Sequence, residues 1–214
     1  MKLYSYFRSS AAYRVRIALN VKNLSYEYLP VHLLRSGGEQ LKAEYRKLNP
    51  DGLVPTLVDG GAVLQQSLAI IEYLEETHPN PPLLPQDPID RAYVRAIALQ
   101  IACEVHPLDN LRVLRYLVHE LGLSEEAKNG WYRHWIETAF ESLEMRLSTD
   151  TRVGKLVFGD EPTLADLCLV PQVFNAQRFK IDTQRFPTIH RLYDHACGLD
   201  AFARAAPGAQ PDAE

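Results

Sequence analysis

Residues 3–20 read LYSYFRSSAAYRVRIALN, and the rest of the chain is organised around them. Leu3 to Phe7 is a short strand-like run. The chain then turns through Arg8-Ser9-Ser10 and enters a helical pattern with Val15, Ala18 and Leu19 on one face. Ser9 and Ser10 stand where a helix N-cap stands. A helix N-terminus offers free N–H groups and a partial positive charge. It holds an anion, or keeps a thiol as thiolate. Arg8, Arg14 and Arg16 add fixed positive charge nearby. Arg14 and Arg16 are expected to pair with acids or to line the surface. An ordinary capped βα turn is the competing reading of the same residues.

Working outward, Tyr26–Leu33 reads as a second strand, and Pro30 inside it points to a sheet edge. Ser36-Gly37-Gly38 makes a flexible loop, and Gln40–Leu48 a short polar helix ending before Asn49-Pro50. Thr56–Asp59 and Ala62–Gln66 are two strands around Asp59-Gly60-Gly61, a strong hairpin signal. Pro55 cannot donate to a ladder, and its bond to Val54 is cis or trans. Ser67 is expected to cap a helix running to Glu76, with Ile70, Ile71 and Leu74 as its apolar face. This is β-α-β-α-β-β-α in one compact α/β unit.

Pro79–Pro88 holds five prolines in ten residues and reads as a linker. The expected boundaries are an α/β domain over 1–80, a linker over 81–88 and an all-α domain over 89–214. Ile89–Leu121 is one helix or two, divided or kinked at Pro107. Ser124 caps a helix to Leu147, with Trp131, Trp135, Ile136, Phe140 and Leu143 spaced for burial. Thr163-Leu-Ala-Asp166 fits a capping box in which Asp replaces the usual Glu or Gln. Pro207–Glu214 is expected to be a loose tail.

The bulk numbers narrow the function classes. A net charge of −4 over 214 residues leaves no nucleic-acid footprint, and no basic patch carries interleaved aromatics. No apolar run is long enough to cross a membrane, and the N-terminus does not read as a signal peptide. The seven histidines are scattered without metal-ligand spacing, so no metal site is expected. Three cysteines, Cys103, Cys168 and Cys197, do not form a disulfide framework. They read as buried structural thiols in a reducing cytoplasm.

The α/β unit, the proline-rich linker and the helical second half together resemble the cytosolic glutathione transferase fold, whose first domain is thioredoxin-like. Val54-Pro55 before a strand, Gln66-Ser67 at the next strand-to-helix turn, and the Thr163–Asp166 box carry the match. FRSSAAYRVRIALN is similar to the zeta-class motif, usually SSCxxRVRIAL. LQQSLAIIEYLEETHPNPPLLPQDP, HPLDNLRVL, Leu164–Gln172 and the segment around Gln177-Arg178-Phe179 are similar to that class as well. The resemblance spans nearly the whole chain. One departure is Ala11, where the class has cysteine. The maleylpyruvate-isomerising branch shares that departure, and AAPGAQPD from Ala205 is similar to that branch too.

The resemblance implies a glutathione-dependent cis–trans isomerase of a maleyl keto acid, either maleylacetoacetate or maleylpyruvate. It implies glutathione as a cofactor that is not consumed. It implies catalytic roles for Ser9 or Ser10 at the thiol, and for Arg8 and Arg178 as carboxylate clamps. Gln40, Val54, Gln66 and Ser67 would hold glutathione, and His106 and Asn110 would stand near the site mouth. Asp166 is assigned to folding. A homodimer is expected, with a small acidic substrate as the partner molecule. A general transferase acting on small electrophiles such as haloacids, and a non-enzymatic binding module, are the readings from other classes.

Overall fold

The computed structural model describes residues 1–214. They form two compact units: Met1–Leu83 together with Gly198–Glu214, and Leu84–Cys197.

The first unit is built on a four-stranded sheet in the order β2-β1-β3-β4. Its strands are β1 (Lys2–Ser5), β2 (Glu27–Pro30), β3 (Thr56–Asp59) and β4 (Ala62–Gln65). β2 lies parallel to β1, while β3 is antiparallel to both β1 and β4. A parallel neighbour needs a crossover, and α1 (Ser10–Val21) supplies it. The Asp59-Gly60-Gly61 hairpin forms as read. Pro30 does sit on an edge strand, but β2 covers only the middle of the expected Tyr26–Leu33.

α1 buries Ala12, Val15, Ile17, Ala18 and Leu19 completely. They meet Leu3 and Leu57 of the sheet and Ile70, Ile71 and Leu74 of α3 (Ser67–Thr77) in being fully or almost fully removed from water. Each large aliphatic side chain so buried contributes about 1.5–3 kcal/mol. The end of α3 is tied down by a buried lysine. Lys22 Nζ donates to Glu75 Oε2 (2.7 Å) and to the carbonyls of His78 (2.7 Å) and Pro81 (2.9 Å). Glu75 in turn accepts the Leu83 N–H.

Two local expectations need correction, and one open point is resolved. The polar helix starts at Ala43, not Gln40: α2 spans Ala43–Leu48, and Gln40 lies in a separate turn, Glu39–Leu41. Lys42, extended at φ −65°, ψ 147°, separates the two. Ser67 is the first residue of α3, while Gln66 holds the cap position. The Val54–Pro55 bond, left open by the sequence, is cis.

The second unit is helical throughout its regular structure. α4 (Pro88–Leu99) opens with Asp87, whose Oδ1 accepts from Ile89 N–H (2.8 Å) and Asp90 N–H (3.1 Å). It widens into a π-helical turn, Gln100–Val105, before Pro107. α5 (Leu111–His119) then starts afresh with Asn110 as its cap. So the expected long segment is two helices, divided at Pro107. α6 (Glu125–Leu147) is capped by Ser124 as read. Its buried positions are Tyr132, Ile136, Phe140, Leu143 and Leu147, while Trp131 and Trp135 are only half-buried.

α7 (Leu164–Arg178) is buried along most of its length and forms the spine of the unit. The capping box at its start is complete. Asp166 Oδ2 accepts from Thr163 N–H and Oγ1, both at 2.8 Å, and Oδ1 accepts from Val157 N–H at 2.8 Å. α8 (Pro187–Cys197) closes the unit. Of the cysteines, only Cys168 is buried; Cys103 is exposed on the π-helical turn and Cys197 is half-buried.

The chain does not end there. Residues 198–214 return to the first unit, so the helical unit stops at Cys197 and not at Glu214. α9 (Asp200–Ala205) packs along α1, with Phe202 and Ala205 fully buried. Pro207 and Gln210 beyond it are buried as well. The expected loose tail is therefore an integral part of the α/β unit.

Candidate functional site

The strand register gathers most of the predicted residues at one edge of the sheet. Tyr4 pairs with Thr56, and Thr56 with Gln65. Continuing both ladders one step further brings the end of β1, the start of β3 and the end of β4 side by side. Arg8, Ser9 and Ser10 follow the first, Val54 precedes the second, and Gln66 and Ser67 follow the third. Two helix N-termini, those of α1 and α3, thus open at the same edge.

The two N-termini are capped differently. At α1, Ser9 is the N-cap in an extended conformation, and its Oγ accepts the Ala12 N–H at 3.2 Å. That bond uses a lone pair and leaves the hydroxyl proton for another acceptor. Arg8 is exposed, its guanidinium 4.8 Å from the centre of the Phe7 ring. Ser10 is buried one position into the helix.

At α3 no side chain caps. Gln66 is held at φ 67°, ψ 117°. A non-glycine residue kept in that region costs on the order of 1–3 kcal/mol and is typical of binding sites. The first bond of the helix runs from Ile70 N–H to the Gln66 carbonyl. The N–H groups before it have no intrahelical partner. Ser67 Oγ, buried, accepts from Arg14 Nη1 at 3.3 Å. Its own proton is left to donate outward. This end offers backbone donors, a hydroxyl and a buried cation to one carboxylate.

Arg14 is the residue that sequence reasoning left out of the site. It is 1% exposed, neither a surface group nor part of the solvated face. Its signal lies in the helical spacing: Arg14 shares a face with Ser10, Ile17 and Ala18. Arg16 is likewise fully buried, and the oxygens that accept its hydrogen bonds are all neutral. Burial pushes its pKa down.

Gln40 is buried with its Oε1 lacking any partner. Nε2 makes one long contact with the Leu33 carbonyl at 3.5 Å. Gly38 makes room for it: at φ 119°, a Cβ there would lie 2.7 Å from the Gln40 amide. An acceptor kept buried and unpaired asks for a donor from a ligand.

His106, Asn110 and Arg178 belong to the helical unit. His106 N–H closes the π-helical turn on the Ile101 carbonyl at 2.9 Å. Asn110 caps α5, its Oδ1 accepting the Arg112 N–H at 3.1 Å. Both therefore have a structural task. Arg178 is the exposed last residue of α7, where a cation also suits the helix dipole. Beside it Phe179 stacks on Tyr132 at 3.6 Å and 11°. The Tyr132 hydroxyl is pushed up by burial and further by Asp109, with Arg178 opposing. Asp109, which sequence reasoning did not single out, is 7% exposed with both carboxyl oxygens unpartnered. Burial pushes its pKa up to about 8.

Comparison with known proteins supplies an independent line. Residues 3–82 match the family described as glutathione S-transferase, N-terminal domain. A probable maleylacetoacetate isomerase of Vibrio cholerae is 54% identical over 99% of this chain and 97% of its own length. A holo maleylpyruvate isomerase, described as a bacterial zeta-class glutathione S-transferase, superposes with TM-score 0.97 at 48% identity, with both chains fully covered. A maleylacetoacetate isomerase from Methylobacterium extorquens AM1, solved with malonate and glutathione bound, superposes with TM-score 0.96 at 42% identity, again over both full chains.

Proposed function

The chain belongs to the zeta class of the glutathione S-transferase family, and from that premise we propose that it converts a maleyl keto acid to the fumaryl isomer at the sheet edge described above. It is a glutathione-dependent cis–trans isomerase. The observation that carries the assignment of the site is the pair of helix N-termini, one presenting a hydroxyl proton and the other a carboxylate-binding set. The donor set fits glutathione: a peptide with a carboxylate at its γ-glutamyl end, N–H groups along its length and a thiol in the middle.

In this reading Ser67, the N–H groups opening α3, and Gln66 hold the γ-glutamyl carboxylate. The Val54 backbone holds the cysteinyl part, and the unpaired Oε1 of Gln40 accepts one of the peptide's donors. His106 and Asn110 complete the contacts. When bound, glutathione supplies a thiolate that adds reversibly to the conjugated double bond and is released unchanged. Ser9 donates its free hydroxyl proton to that sulfur, and so favours the ionised form near neutral pH. Ser10 is the alternative donor. The α1 N-terminus adds its partial charge. Arg8 and Arg178 clamp the two substrate carboxylates through their planar forks. One of them also faces the charge that develops on the keto oxygen. Ala11 in place of the class cysteine does not interrupt this chemistry, because the attacking sulfur is not the protein's.

Ala11 and the C-terminal AAPGAQPD favour maleylpyruvate over maleylacetoacetate. The two substrates differ by one methylene, worth roughly 1–3 kcal/mol of discrimination in a pocket. The test is an assay of both substrates with and without glutathione. Turnover that requires glutathione without consuming it supports the reading, and the rate ratio names the substrate. Consumption of glutathione into a conjugate would replace it with the general transferase. Homodimerisation and a cytoplasmic location, implied by the class, complete the reading. A sedimentation mass of twice the chain tests the first.

A further inference from the structure

The β1–α1 turn carries Arg8 and Ser9, and three of its backbone polar groups, the Tyr6 and Phe7 carbonyls and the Phe7 N–H, are held by side chains from outside the turn. Ser9 N–H bonds to the Tyr6 carbonyl at 2.9 Å, which closes the turn. Arg16 Nη2 donates to the Phe7 carbonyl at 3.0 Å, and Nη1 to Tyr6 O (3.4 Å) and Ser5 Oγ (3.2 Å). Arg16 Nε donates to the Ala205 carbonyl at 2.9 Å, so the same guanidinium binds the end of α9. The Phe7 N–H donates to Asp212 Oδ2 at 3.2 Å. Asp212 Oδ1 accepts from the Tyr28 hydroxyl at 2.6 Å, which fixes the carboxylate on β2.

The last residue grips a second loop. Glu214 pairs with Arg35, and its Oε1 lies 3.5 Å from His32 Nε2. His32 Nδ1 accepts from the N–H groups of Leu34 (3.2 Å) and Arg35 (2.9 Å), so the ring proton sits on Nε2, toward Glu214. His32 N–H donates to Glu39 Oε2 at 2.7 Å, and Glu39 N–H to the His32 carbonyl at 2.8 Å. That loop delivers Gln40. Its own conformation needs external support: Ser36, Gly37 and Gly38 all have positive φ.

We propose that Asp212 and Glu214 make the C-terminal tail a positioning strap for the thiol site, with Asp212 fixing the turn that carries Arg8 and Ser9 and Glu214 fixing the loop that carries Gln40. The inference rests on the reading of this unit as the glutathione-binding half of the enzyme. Neither acid touches the reacting atoms; both act through backbone they hold. Asp212 also stands as a counter-charge to the buried Arg16 guanidinium. This gives the positional role a signature. Loss of Asp212 as a mere charge would leave a more positive site and lower the pKa of a bound thiol. Loss of Asp212 as a strap would loosen the Ser9 donor and raise it.

The test uses full-length protein and glutathione alone. Binding is followed by calorimetry, and the bound thiol by its ultraviolet thiolate absorbance against pH. Asp212→Ala is expected to weaken glutathione binding on the order of tenfold and to move the thiol titration to higher pH. Asp212→Asn is expected to restore most of both, since its one carboxamide oxygen can take the place of Asp212 Oδ2 in accepting from Phe7 N–H, and its Nδ2 can donate to Tyr28 Oη. Glu214→Ala is expected to weaken binding less, on the order of twofold, because its pair with Arg35 is exposed. A folded Asp212→Ala variant with unchanged affinity, or with the titration moved down, overturns the proposal. Should Asp212→Ala not fold, the Asn variant and hydrogen exchange of the wild-type Phe7 amide decide it. Protection of that amide supports the strap and free exchange sinks it. A wild-type chain that protects Phe7 yet binds no glutathione overturns instead the reading on which the strap rests, and the strap's role with it.

Discussion

Asp166 and Asp109 are two carboxyl groups of one helical unit, 1% and 7% exposed. Asp166 accepts three hydrogen bonds and closes the capping box of α7. Asp109 accepts none. Both pKa values are pushed up by burial, to about 6 for Asp166, whose hydrogen bonds pull the other way, and to about 8 for Asp109. The pair separates two costs that are easily merged. Burial sets the penalty for being charged, and the partners decide whether the fold depends on the group.

The largest effect comes from breaking the partnered member. Asp166→Ala strands the Thr163 and Val157 N–H groups in the core, and is expected to cost roughly 3–5 kcal/mol in urea unfolding. A loss below about 1 kcal/mol would show that the box is not what holds α7.

Removing the unpartnered member should do the opposite. Its folded-state pKa lies above the unfolded value, so the folded state binds the extra proton. Stability then falls as pH rises from about 4 to about 8 and is level above that. Asp166 has the same sign, but its window closes near pH 6. Between pH 6 and 8 the slope therefore belongs to Asp109 rather than to Asp166. Asp109→Asn is expected to flatten that part of the profile and to gain on the order of 2 kcal/mol at pH 8. An unaltered slope would mean that Asp109 finds a partner in solution.

Asp87 supplies the third corner of the comparison, an exposed carboxylate with partners. It caps α4 through two N–H groups at 2.8 and 3.1 Å. Asp87→Ala is expected to lower stability by about 1 kcal/mol in thermal melts, the usual worth of a cap in water. The smallest stability change is expected for Arg178→Ala, within about 0.5 kcal/mol, because the side chain is exposed. Its effect should appear instead as a raised substrate KM with glutathione binding intact; an unchanged KM would remove Arg178 from the site.

Features legible in the sequence were those whose partners are close in the chain. The Thr163–Asp166 box, the Ser9 and Ser124 cap positions, and the hairpin at Asp59-Gly60-Gly61 each close within a few residues. The zeta-class motifs added the candidate site residues that spacing alone left open. What the letters concealed depends on distant partners. Asp212 sits in a proline- and alanine-rich tail that reads as loose, and its donors lie 205 and 184 positions away. Arg16 looked solvated because charge is usually solvated, yet its acceptors are three carbonyls and the Ser5 hydroxyl, which only the folded chain assembles. Gln66 took the cap position from Ser67 through a backbone conformation that no residue type announces. Asp109 sits in a turn, where an acid is ordinarily wet.

The return of residues 198–214 to the first unit also bears on how the protein is made. Chains emerge from the ribosome amino end first, and domains commonly fold in that order, at about 5–20 residues per second. Here the sheet and its first helices exist on the order of ten seconds before the residues that fix the β1–α1 turn have been synthesised. The helical unit, contiguous from Leu84 to Cys197, is complete sooner. The half of the molecule that is translated first is thus the half that matures last, and a nascent chain stalled short of Asp212 carries every residue assigned to the thiol site without the one that holds the Phe7 amide.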